Sequence, residues 1–244
     1  MRHSLEVVSD LFVINVVNLV VFGFFGIYVA HLGSAEASQT ILLGFILWEC
    51  LQVTQYTVST ATMWNIWSRN LSNVFIAPVS IAEYMAAQFL AGLLKMALVF
   101  VLLAVVANFG LGFNVLSVPL TTLIPAIVIL VVTGWALGVA ILGFIFAFGT
   151  RFQAVTWNFI FLLQPITAAL YPLDVLPAPV RAIASFLPPT YVFEAARYGL
   201  AGSERLDLLW LGFILSLVWL VAGVIIFLAF FRRSRMSGQF AKLE

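Results

Sequence analysis

A carboxyl group stands in the middle of an apolar stretch. Glu49 is the one charged residue in a run from about Thr40 to Thr62. A charge at the centre of a membrane-spanning helix costs roughly 2.5–3.5 kcal/mol on insertion scales, so it needs a partner, a proton or a task. Gln52 follows three residues on, then Thr54, Gln55 and Ser59. Read at helical spacing, Gln52, Gln55 and Ser59 fall near the side of Glu49, a polar stripe suited to a protein interior or a water-filled path. Lys95, alone in another apolar run, is the candidate counter-ion, unless its depth lets it snorkel to the cytoplasmic end. Two chemistries stay open: a buried pair or protonated carboxyl that is structural, and a substrate path or proton relay.

Other catalytic equipment is sparse. Lys95 and Lys242 are the sole lysines, and no Gly-x-x-x-x-Gly-Lys-Ser/Thr run exists to cradle a nucleotide phosphate. His3 and His31 are far apart and Cys50 is the single cysteine, so neither a disulfide framework nor a zinc or haem site is expected. No nucleophile elbow and no HExxH run is present. No catalytic residue, cofactor or metal is therefore assigned to this chain. Work against a gradient would draw on ion flux or on another subunit.

The elements that would position these residues follow from composition. Of 244 residues 64% are hydrophobic and 9% charged, against about 45–50% and about 25% in a soluble domain. So few charges cannot clothe a water-facing surface, which leaves an all-α polytopic membrane protein. A crossing helix takes roughly 20 apolar residues. Six spans are expected in a single domain over 1–244, at about 11–30, 40–62, 85–107, 122–148, 153–171 and 208–231. The run from Met96 to Thr150 has no Asp, Glu, Lys or Arg and holds two of them. The turn between them is Asn108-Phe109-Gly110-Leu111-Gly112 with Asn114, Ser117 and Pro119. The apolar stretch of the first segment is too long for a cleavable signal. Gly134 and Gly138 could mark a close helix approach.

Charge asymmetry orients the bundle. Arg2, Arg69, Arg151, Arg232, Arg233, Arg235 and Lys242 fall on one side, seven in all, against Arg181, Arg197 and Arg205 on the other. The positive-inside rule puts both termini in the cytoplasm.

Two extramembrane segments are more than turns. On the cytoplasmic side, Trp64 to Tyr84 reads as a short amphipathic helix carrying Arg69, Asn70 and Asn73, ended by Pro78. Ser80 then caps the third span, with Glu83 completing a capping box. The segment is either a simple link or an element that a cytoplasmic partner grips. On the outer side, prolines cut Pro172–Asp207 into short helices, roughly Pro179–Phe186 and Thr190–Tyr198. Glu194 and Arg197 can pair there across one turn. This segment is either a cap on the bundle or a re-entrant outer gate.

These same residues carry a resemblance. The loop Arg69-Asn70-Leu71-Ser72-Asn73, Ala77-Pro78-Val79-Ser80 and Glu83, followed by Tyr171-Pro172-Leu173, Val175-Leu176-Pro177, Leu187-Pro188-Pro189-Thr190-Tyr191 and Glu194-Ala195-Ala196-Arg197, resembles the permease subunit of type-2 ABC exporters. The resemblance runs over nearly the whole chain. It implies a permease dimer, of identical or paralogous chains, in the cytoplasmic membrane of a prokaryote. Two copies of a cytoplasmic ATPase would bind ATP and Mg for it. It implies that Arg69, Asn70, Ser72, Asn73, Pro78, Ser80 and Glu83 form the coupling helix between spans two and three. It makes Pro172, Pro177, Pro188, Pro189, Glu194 and Arg197 part of an outer re-entrant hairpin between spans five and six. The cargo would be amphipathic: a lipid-linked glycan, a lipid or a drug. Membrane lipid, not nucleic acid, is the remaining expected partner. Members of that family begin with a longer amphipathic cytoplasmic helix, where this sequence has Met1 to Asp10 before the first span. The alternatives are an ion-coupled secondary carrier using Glu49 and Lys95, and a membrane scaffold subunit that transports nothing.

Overall fold

The computed structural model describes residues 13–68, 80–149 and 153–236. Among these, eight α-helices follow one another: α1 Ile14–His31, α2 Ala35–Trp67, α3 Ile81–Gly110, α4 Leu120–Phe148, α5 Gln153–Ile166, α6 Ala178–Ala184, α7 Pro188–Leu200 and α8 Leu206–Met236. Five of them (α1, α2, α3, α4 and α8) are long and apolar enough to cross a membrane. The chain is a polytopic helical membrane protein.

Local chemistry sets the helix ends. Ser80 opens α3 with a complete capping box: its Oγ accepts from the Glu83 amide at 3.2 Å and its own amide donates to Glu83 Oε2 at 2.8 Å. The Asn114 side chain accepts from the Leu116 amide at 2.9 Å and shapes the turn into α4. Gly149 closes α4 at φ 69°, a conformation open to a residue without Cβ. The expected fifth span is shorter than the sequence suggested. α5 has 14 residues and stops at Ile166, one residue after Pro165. Proline donates no backbone hydrogen bond and crowds the preceding turn, and the chain from 167 to 172 is not helical.

Burial separates centre from periphery. The apolar window of α2 is 89% buried and that of α4 67%, against 22%, 22% and 17% for α1, α3 and α8. Glycines let α2 and α4 touch. A Cβ on Gly134 would lie 2.9 Å from the Thr54 Cβ, and one on Gly138 2.8 Å from that of Val58. The Gly134/Gly138 pair is thus an interface within the chain. Gly143 and Gly223 do the same between α4 and α8, against Phe227 and the Ala136 carbonyl. Ring pairs complete the joints: Phe22 on Phe45 between α1 and α2, Phe89 on Trp135 between α3 and α4, and Phe146 with Phe227 and Phe231 between α4 and α8.

The bundle has two distinct ends. At one lie the α1–α2 turn, the 111–119 turn and the top of α7, where Gly199 packs on Val118 and Pro119. At the other lie the end of α2, the start of α3 and the ends of α4 and α8, where Ser234 Oγ donates to the Phe146 carbonyl at 2.8 Å. Arg232 and Arg233 are exposed at that second end.

Candidate functional site

α2 supplies the intramembrane polar groups, and most satisfy themselves. Thr54, Thr57, Ser59 and Thr60 donate to carbonyls one turn back, at 2.7 to 3.0 Å, a bond that lets a hydroxyl sit in a buried helix. The stripe expected around Glu49 divides into separate pairs. Gln52 accepts from Trp48 Nε1 at 3.0 Å, and Gln55 Nε2 donates to Ser59 Oγ at 2.8 Å. Six residues turn a helix through about 600°, so Gln55 faces far from Glu49. Indeed the Gln55 carbonyl borders Gly138 of α4, while Phe45, one turn before Glu49, stacks on α1.

Glu49 itself is 2% exposed, and its Oε2 is buried without a hydrogen-bond partner. The Gln55 Oε1 is in the same condition. Lys95 is half-buried on α3, one turn beyond Gly92, whose face packs on Thr54 and Thr57 of α2. That places it 14 residues after Ile81, near the middle of α3. Asn15, buried on α1, is a polar group in a spanning helix that the sequence reading passed over.

The expected coupling segment lies partly in view. Trp64 to Trp67 continue α2 rather than starting a separate helix. Arg69, Asn70, Ser72, Asn73 and Pro78 lie outside the described residues. Ser80 and Glu83 form the capping box given above, exposed at the end of the bundle that carries Arg232 and Arg233.

The proline-rich segment carries several long-range polar bonds, although Thr190 Oγ1 and Arg197 Nε are buried without a partner. Pro172 precedes a single 3-10 turn at Leu173–Val175, Pro177 caps α6, and Pro188 and Pro189 fill the first turn of α7. Proline fits a first helical turn because those amides have no intrahelical partner. Glu194 and Arg197 pair at 2.6 Å, as their spacing implied. Their long-range bonds were not legible from spacing. Arg197 Nη1 donates to the Ala168 carbonyl at 2.9 Å, and Glu194 Oε1 accepts from the Leu173 amide at 2.9 Å. Ala168 has φ 54°, a left-handed conformation rare for a residue with a Cβ. One ion pair on α7 therefore holds the stretch between α5 and α6 at its start and at its middle. Tyr171 donates to the Pro165 carbonyl, and Arg181 Nη2 to the carbonyls of Asp174 and Leu176.

This segment reaches deep along the spanning helices. Phe193 of α7 packs beside Trp48, and the Ala169 carbonyl meets Gly44 of α2. The α6–α7 corner goes further: Trp219 Nε1 donates to the Phe186 carbonyl at 3.0 Å. Trp219 stands 13 residues after Leu206, the start of α8, which is about 20 Å at about 1.5 Å per residue. Ile183 and Phe186 are exposed on this corner.

No protein-family model matches this sequence, and no curated protein matches it.

Proposed function

We propose that this chain is the transmembrane permease subunit of an ATP-driven exporter of the type-2 ABC kind. It would work as a homodimer or with a paralogous permease, in the cytoplasmic membrane of a prokaryote. The observation that carries the reading is the α6–α7 hairpin. It is made of short apolar helices, bonded along its length, and its corner lies some 13 residues along α8. A helical pair lodged at that depth suits a re-entrant outer gate, tolerated because protein covers its backbone ends.

On this reading α5 and the chain after it complete a sixth crossing, and both termini face the cytoplasm. Residues 69–79 with Ser80 and Glu83 dock on two copies of a separate ATPase, which binds ATP and Mg. The capping box fixes the first turn of α3 directly behind that loop, so a push on the loop moves a rigid helix. An amphipathic or lipid-linked cargo passes between two protomers. The test is gentle purification from native membranes. A soluble chain with a phosphate-binding loop, recovered near one-to-one, upholds the reading. Recovery of the chain alone, with transport indifferent to every candidate ATPase, overturns it.

One observation favours a second reading, an ion-coupled carrier: the unpartnered Oε2 of Glu49 in the most buried helix. Glu49→Gln decides between them. The carrier loses coupling with this change, whereas the exporter keeps ATP-dependent transport.

A further inference from the structure

α5 turns one side to the bundle and the other outward. Ile160 is 2% exposed and packs in the main core. Asn158, two residues away and so about 200° round the helix, is exposed. Phe161, Leu162 and Pro165 are exposed with it, at the i+3, i+4 and i+7 spacing that puts side chains on one helix face. The outward face of α5 is apolar with one amide in it.

That amide lies at mid-bundle depth. α4 runs parallel to α2, since Gly134 meets Thr54 and Gly138 meets Val58. α5 then returns along α2 until the Ala169 carbonyl meets Gly44. From Ile166 back to Asn158 the helix covers about 12 Å. The same distance along α2 from Gly44 leads to about Gln52, the middle of Ala35–Trp67. At the middle of α3 and α8 the exposed side chains are apolar, among them Leu94, Leu98, Ile214 and Val218. Hydrocarbon offers no donor or acceptor, so an amide facing it carries the cost of an unmet polar group. An amide has two donors and two acceptor lone pairs, more than one bond inside its own chain fills. What covers Asn158 must be polar at one point and apolar around it. A lipid tail fails the first condition. A second α5 meets both: across a two-fold axis each surface meets its own copy, so the two amides face each other as donor and acceptor while Phe161, Leu162 and Pro165 pack beside them.

We propose that the exposed face of α5 is the interface between two copies of this chain, with the two Asn158 amides hydrogen-bonded across the two-fold axis. The inference rests on the homodimer of the reading above and gives it its residues; it is independent of what drives transport. Because α5 leads into the stretch from Thr167 to Pro172, the pair also fixes the two hairpins relative to each other.

The test is cysteine cross-linking of the full chain in native membranes. The single cysteine, buried Cys50, is removed by Cys50→Ser. Phe161→Cys and Leu162→Cys are then oxidised one at a time with copper phenanthroline, which bridges cysteines only where their Cα atoms come within about 7 Å. At least one of the two is expected to give a covalent pair that mass spectrometry identifies as two identical chains. Leu94→Cys and Ile214→Cys, exposed on α3 and α8, stay monomeric. Single-molecule counting of labelled chains in bilayers reads the association constant. Asn158→Leu, at an exposed position that leaves the monomer folded, lowers it about tenfold, the worth of an interhelical hydrogen-bonded pair. Asn158→Gln keeps it. The proposal is overturned by cross-linking at α3 or α8 but not α5, by a different chain in the α5 product, or by an Asn158→Leu dimer as tight as wild type. A chain that cross-links at α5 but recovers no ATPase keeps the interface and loses the exporter. One that recovers the ATPase yet never cross-links at α5 keeps the exporter and loses the interface.

Discussion

Arg197→Ala is the most informative single change, because one side chain holds the hairpin at two points. It removes the bond to the Ala168 carbonyl and the 2.6 Å pair with Glu194. Each charge-assisted bond is worth roughly 1.5–3 kcal/mol where water is excluded. The Arg197 and Glu194 side chains are 12% and 20% exposed, so water recovers part of the loss. The net cost is about 3 kcal/mol, below the sum of two dry bonds and in line with breaking one member of a buried pair. At 1.4 kcal/mol per tenfold, that loosens the docked hairpin about a hundredfold. Hydrogen exchange of the chain in nanodiscs reads this directly. The amides of 167–176 should exchange about a hundredfold faster, Leu173 among them, because its acceptor Glu194 loses its own anchor. The helical amides of α2 and α4 should not change. A double-mutant cycle with Glu194→Ala should give a coupling energy above 1 kcal/mol. If 167–176 exchanges at the wild-type rate in a folded Arg197→Ala protein, the clamp is not what holds this stretch.

Other perturbations follow from the same packing. Gly44→Ala drives a methyl into the Ala169 carbonyl, and Gly223→Ala does so at the Ala136 carbonyl. The gain of about 1 kcal/mol in helix propensity cannot offset a backbone overlap, so both should melt earlier in detergent than wild type by thermal unfolding. Ser80→Ala should cost about 1 kcal/mol, seen as faster exchange confined to the first turn of α3. Substituting Ser72 and Asn73, or Pro78, should lower ATPase binding or uncouple hydrolysis from transport in a protein that still elutes as a single species; normal coupling would count against the docking assignment. Glu49→Gln should leave folding intact, because a neutral amide replaces a carboxyl that has no cationic bond to lose at Oε2. Glu49→Lys should fail to accumulate in the membrane.

What the sequence made legible follows the physics each feature uses. Apolar runs with at most one charge located α1, α3, α4 and α8 within a few residues, because the cost of burying a charge in lipid acts on every residue alike. Ser80 and Glu83 were legible because a capping box is a bond between residues three apart. The same holds for the Glu194–Arg197 pair. The end of the fifth helix was placed five residues too far, at 171 rather than Ile166, since apolarity persists past Pro165 while helicity does not. Of the stripe around Glu49, Gln55 and Ser59 bond each other across one turn and Gln52 accepts from Trp48, partners that spacing alone does not name. The bonds that decide the site, Arg197 to Ala168 across 29 residues and Trp219 to Phe186 across 33, leave no trace in local spacing.

The two kinds of joint in this bundle imply where it can move. α2, α4 and α8 touch through glycines and backbone at Gly134, Gly138, Gly143 and Gly223, and packed cores of this kind have few alternative arrangements. The stretch from Thr167 to Pro172 combines both kinds: Thr167, Ala168 and Ala169 are buried, with the Ala169 carbonyl against Gly44 of α2, and Arg197 and the Tyr171 hydroxyl bond to carbonyls of Ala168 and Pro165. α7 does not come away from the bundle at the cost of polar bonds alone, because Val192, Phe193, Ala195 and Ala196 are buried in the core. What the Arg197 bond and the Tyr171 hydroxyl add is the fixed path of the backbone between α5 and the 3-10 turn. Losing them loosens that stretch and leaves the α7 packing in place.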